Sequence, residues 1–121
     1  MGRLRIFLTL LLVDWLFGIP GLGVETRTGS DNPAMNYVYT VVGLALILAL
    51  ALTWFRPRYA GPLAMVVGAA AVVLAVADMT GLTTGQAAPP AMIAVDLGGT
   101  VIGAGIIWAA SREDRRTTLP A

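Results

Sequence analysis

Residues 37–82 read YVYTVVGLALILALALTWFRPRYAGPLAMVVGAAAVVLAVADMTGL, two long apolar runs on either side of Arg56-Pro57-Arg58. Each run has about the 20 residues that a helix needs to cross a hydrocarbon layer roughly 30 Å thick. The connection between them is so short that the two helices must be adjacent and antiparallel. Tyr37 and Tyr39 mark one membrane surface of the first run, and Trp54 and Phe55 mark the other, because amphipathic rings settle at the headgroup level.

Outward from this pair, the chain repeats the theme on both sides. Toward the N-terminus, Asp31-Asn32-Pro33 is a helix-start signal, with a short acceptor side chain ahead of a proline that suits the first turn. Around it, residues 24–36 are polar, with Glu25, Arg27, Gly29 and Ser30, a loop composition. An earlier apolar run occupies residues 4–22. Its Arg3 and Arg5 resemble the start of a secretory signal, but Asp14 and Trp15 interrupt what would be the apolar core of such a segment, so it reads as a span. Toward the C-terminus, Gly81 stands where a helix would stop, residues 83–90 form an uncharged loop, and Pro89-Pro90 opens a last apolar run to Ala110. Residues 111–121 then read as a solvated tail.

The expectation is an all-α fold, a four-helix transmembrane bundle forming one membrane domain, with spans at about 4–22, 37–55, 59–82 and 90–110. Composition agrees: of 121 residues, 57% are hydrophobic and 12% charged, against about a quarter charged in an ordinary soluble domain. Seven of the eight arginines, Arg3, Arg5, Arg56, Arg58, Arg112, Arg115 and Arg116, fall on one side of this arrangement, and Arg27 falls on the other. By the positive-inside rule both termini are then cytoplasmic, in the inner or plasma membrane of a bacterial cell.

Cysteine and histidine are absent, which removes thiol chemistry, histidine acid–base catalysis and nearly every zinc, haem or copper site. The expected cofactor and metal content is none. A net charge of +1 offers no surface for nucleic acid. Aspartates alone give few routes to catalysis, so an enzyme is not expected.

Lipid supplies no hydrophobic drive between helices, so membrane helices pack through small residues. Gly99 and Gly103 in the last span, and Ala64, Gly68, Ala71 and Ala75 in the third, form such stripes. Three carboxylates interrupt the apolar segments: Asp14, Asp78 and Asp96. At the centre of a span an aspartate costs about 2.5 to 3.5 kcal/mol on insertion scales, so such residues should avoid lipid. Asp96 shares a helical face with Gly99 and Gly103, and Asp78 with Ala75, Ala71 and Gly68, which aims both along packing seams. At 1.5 Å per residue they lie roughly 8 Å and 6 Å below the outer surface, and Asp14 near 12 Å, so all three can meet in one outward-facing pocket. This is the candidate proton or cation site. Arg27 and the hydroxyls of Tyr37, Tyr39 and Thr40 are its candidate compensating groups.

Four short spans with an acid in the first resemble the small multidrug resistance exporters, which bind cations and protons at a membrane glutamate as antiparallel dimers. Dual topology, however, calls for a weak arginine bias, the opposite of what stands here. Overall size, with Pro89-Pro90 followed by Asp96, is similar to the DoxX-like group of small four-helix membrane proteins. That resemblance implies a bundle of the same kind and partnership with a membrane oxidoreductase, which would carry any redox chemistry. The leading expectation is therefore a non-enzymatic accessory or interaction protein, in contact with lipid and with other membrane proteins or copies of itself. The alternative is a proton-coupled transporter of a small or cationic solute that uses the intramembrane aspartates.

Overall fold

A computed structural model describes residues 2–17, 33–82 and 88–118, and the described chain is helical: α1 Gly2–Phe17, α2 Pro33–Phe55, α3 Pro57–Met79 and α4 Pro90–Thr118. Proline opens three of the four, at Pro33, Pro57 and Pro90, where its missing N–H costs nothing and its fixed φ suits the first turn. Between α2 and α3 a single residue leaves the helical path: Arg56, at φ −143° and ψ 70°.

Two element bounds depart from the expected spans for local reasons. The third helix stops at Met79 rather than Leu82, because Gly81 turns to φ 81°. The Leu82 N–H then donates to the Ala77 carbonyl at 2.9 Å and the Gly81 N–H to that of Asp78 at 3.1 Å, the paired closure that a left-handed glycine permits. The fourth helix does not end at Ala110 but continues through Thr118, so most of the expected tail is helix, as a sequence without glycine or proline between 106 and 119 allows. Residues 18–22 of the expected first span, the loop with Arg27, and residues 83–87 lie outside the described residues.

Three helices are long and apolar enough to cross a membrane, over Tyr37–Phe55, Pro57–Met79 and Pro90–Arg112. The helices pack in a ring, α1 on α2 and α4, and α3 on α2 and α4, with the α3–α4 seam the most extensive. Paired contacts fix their directions. Arg5 meets Thr53 and Trp15 meets Gly43, which makes α1 and α2 antiparallel. Phe7 meets Gly105 and Asp14 meets Gly98, which does the same for α1 and α4. Gly68 meets Gly103 across the α3–α4 seam. The result is up-down-up-down topology.

Along α3, packing is small inside and large outside. In α3 the buried residues Ala60, Gly61, Ala64, Val67, Gly68, Ala71 and Ala75 recur at steps of three and four, while Val66 and Val73 on the outer face are each 66% exposed. A Cβ on Gly68 would lie 2.8 Å from the Gly103 carbonyl oxygen, and one on Gly103 would lie 2.9 Å from that of Gly68, so the two backbones touch directly. Ala71 lies beside the same contact, 3.5 Å from the Gly103 position. Leu4, Leu8, Leu11, Leu46 and Ile106 fill the remaining core.

Candidate functional site

The three aspartates stand on three helices, toward the end of the bundle where α1 and α3 finish and α4 begins. Asp14 is seated on a glycine pair: its Oδ1 lies 2.8 Å from where a Cβ of Gly98 would be, and its Oδ2 lies 3.2 Å from that of Gly99. Consecutive glycines thus open a step on α4 that is deep enough to take a carboxylate lying across the helix. Any side chain on Gly98 would occupy the carboxylate's place. Gly99 also faces the third helix, since its Cβ position is 3.8 Å from the Ala75 Cβ. Asp14, Gly99 and Ala75 therefore mark the point where α1, α3 and α4 meet.

From that junction, one turn along α3 leads to Asp78 and one turn back along α4 leads to Asp96. The antiparallel register sets by Gly68–Gly103 and Ala75–Gly99 brings these two acids level with each other, and both are buried, at 4% and 8% exposure. Each shares its helical face with the seam residues, at offsets of three. Asp14 is half-buried. The carboxyl-bearing faces of α1, α3 and α4 thus converge within about one helical turn.

The fourth side of the ring closes through aromatic contact. Trp15, next to Asp14, packs its indole against Gly43 of α2, with Nε1 3.1 Å from the Cβ position, and its ring meets Tyr39 edge-on at 5.6 Å and 63°, an arrangement favoured by the ring quadrupoles. Gly43 does for Trp15 what Gly98 does for Asp14. Of the candidate compensating groups, Tyr39 is half-buried in this contact, Tyr37 is 72% exposed, and Arg27 lies outside the described residues. Thr100, one turn from Asp96, donates its hydroxyl to the Asp96 carbonyl at 2.9 Å, within its own helix.

At the opposite end, every described arginine is gathered. Arg5 donates from Nε to the Thr53 hydroxyl at 3.1 Å and from Nη2 to the Thr53 carbonyl at 2.8 Å, with its guanidinium 4.7 Å from the Trp54 ring centre. Thr53 is fully buried and its hydroxyl donates a hydrogen bond to the Leu50 carbonyl at 2.6 Å. Arg3 and Arg112 both lie over Trp108, at 5.5 and 5.2 Å, and Arg58 over Tyr59 at 5.8 Å. The sequence reading placed these arginines at one side but did not foresee their aromatic partners. Only the Arg112–Trp108 pair, four residues apart on one helix, carries a local signal; Arg3 and Arg5 find their rings on other helices.

Among the described residues no group of three acidic side chains is close enough to hold a metal ion. Comparison with protein-family models, with curated proteins and with solved structures returned no match.

Proposed function

We propose that the chain is a small integral membrane protein, a four-helix bundle of the cell membrane with both termini in the cytoplasm, acting as a non-enzymatic accessory or interaction partner of other membrane proteins. The observation that carries this reading is the exposure of large apolar side chains around a bundle whose α3–α4 seam is built of small residues. The interior seam is alanine and glycine, while Leu44, Leu48, Val66, Val73 and Val101 stand outward. Such faces suit an apolar solvent. The gathering of arginines at the end that holds the α1 N-terminus and the α2–α3 connection supports the orientation. Membership of the DoxX-like group, with a membrane oxidoreductase as partner, belongs to the same proposal.

Topology is tested with the cysteine-free chain itself. Thr80→Cys, at the end bearing the acids, should react with a membrane-impermeant maleimide in intact cells. Ser111→Cys should react only after permeabilisation, and the reverse pattern would overturn the orientation. For the accessory role, purification in mild detergent should bring down a membrane protein in fixed ratio, and recovery of the chain alone would count against it.

A second reading is favoured by one observation, the convergence of Asp14, Asp78 and Asp96 at the junction of three helices. Under it the chain is a proton-coupled transporter of a small or cationic solute, with the carboxyls exchanging proton for solute. In proteoliposomes, a pH gradient should then drive ethidium flux that Asp14→Asn abolishes with helix content intact. Absence of gradient-dependent flux by the unaltered chain would remove this reading for that cation.

A further inference from the structure

Two of the arginines are placed differently from the rest. Arg5 is committed to Thr53 by two hydrogen bonds. Arg3 from α1 and Arg112 from α4 instead share one ring, that of Trp108, which is 44% exposed. A ring offers a guanidinium no hydrogen-bond acceptor in its plane, so this contact leaves the planar N–H donors available to an oxyanion. Both arginines are exposed; Asp14, Asp78 and Asp96 belong to the other end of the bundle, while Glu113 and Asp114 follow Arg112 directly in the chain. Two like charges held at one ring by two different helices repel each other, and an anion between or above them adds two attractions that outweigh that repulsion.

The helix carrying Trp108 and Arg112 extends the pattern. It runs on through Thr118, over a stretch whose sequence includes Glu113, Asp114, Arg115 and Arg116. An arginine-bearing helical extension next to a half-exposed tryptophan is the chemistry of the membrane–water boundary, where the indole sits among headgroups and guanidinium binds phosphate through paired N–H donors.

We propose that Arg3 and Arg112, braced on Trp108 at the α1–α4 groove, form a binding site for the phosphate of an anionic phospholipid headgroup. The site rests on the membrane reading above, since the headgroup reaches it only if this end of the bundle lies at the bilayer surface. It commits to lipid rather than free phosphate because the tryptophan between the two charges is half-exposed and apolar.

The test uses the full chain with Trp15→Phe and Trp54→Phe, leaving Trp108 as the sole indole, in phosphatidylcholine nanodiscs. Brominated phosphatidylglycerol or brominated phosphatidylcholine is added at equal low mole fraction and Trp108 quenching is read. Phosphatidylglycerol should quench the more strongly, with a local enrichment of about fivefold for each arginine at the surface. Arg3→Gln with Arg112→Gln should lower the phosphatidylglycerol preference at Trp108 more than Arg56→Gln with Arg58→Gln, which removes the same charge elsewhere at this end, and an equal fall in the two variants would overturn the site; millimolar inorganic phosphate should leave the preference unchanged. Equal quenching in the chain with both arginines would overturn the site while leaving the membrane reading standing. No quenching by either lipid would overturn the membrane reading and the site with it. Loss of the preference on adding inorganic phosphate would reassign the arginines to the free anion.

Discussion

Asp14 shows how one side chain depends on what its neighbours lack. Its carboxylate fits because residues 98 and 99 carry no side chain. Gly98→Ala should therefore displace the carboxylate from α4, whereas the same change at Gly2, where a Cβ would meet nothing within 4 Å, should be silent. Cross-linking of α1 to α4 through paired cysteines near Phe7 and Gly105 reads out the difference. At the other end, Thr53 accepts from Arg5 and donates to Leu50 while fully buried. Thr53→Val keeps the shape and removes both interactions. It should cost about 1 kcal/mol, since the Arg5 Nε loses its acceptor in a half-buried place while Nη2 keeps the Thr53 carbonyl, measured by reversible unfolding in mixed micelles. A change within a few tenths of a kcal/mol would mean that the Arg5–Trp54 contact carries the α1–α2 junction instead.

At the level of elements, the α3–α4 seam is the part of the bundle least tolerant of volume. Gly68 and Gly103 meet backbone to backbone, so an added methyl finds a carbonyl oxygen below 3 Å that no rotamer change can move aside. Gly68→Ala or Gly103→Ala should force the helices apart and destabilise the protein by about 1 to 3 kcal/mol. Gly61→Ala, whose Cβ would make an ordinary 3.8 Å contact with the Ala110 carbonyl, should change stability little. Steric-trap or denaturant unfolding of the three variants compares them directly. Helix ends follow a more local logic. Gly81→Ala removes the residue that takes φ 81°, and an L side chain there is strained by about 1 kcal/mol. The expected result is fraying of the last turn of α3, which carries Asp78, seen as faster amide exchange at residues 76–82.

Across the whole molecule, the bundle is polarised. The described arginines stand at one end with Trp54, Tyr59 and Trp108, and the aspartates converge near the other. This division places the arginines and the carboxyls on separate halves, so their roles can be tested independently. Asp14→Asn should leave lipid preference at Trp108 unchanged, and Arg3→Gln with Arg112→Gln should leave any pH-driven flux unchanged. An effect of either change on the other's readout would mean that α1 and α4, which carry residues of both ends, move together.

What the residues alone determined is what depends on near neighbours along the chain. Apolar run length set three membrane-length helices, proline set their starts, Gly81 set the end of α3, and the Arg56 connection made α2 and α3 antiparallel neighbours. The stripe holding Gly68, Ala71, Gly99 and Gly103 was legible for the same reason, because helical periodicity assigns a face from spacing. Tertiary structure decided which face met which. Gly68 and Gly103 became backbone contacts, Gly98 and Gly99 became the seat of Asp14, Gly43 the seat of Trp15, and Trp108 the shared ring of Arg3 and Arg112. A glycine reads alike in every helix of a sequence. Its meaning is supplied by the side chain that a different helix brings to it, and that pairing depends on interhelical rotation and register, which no local spacing encodes.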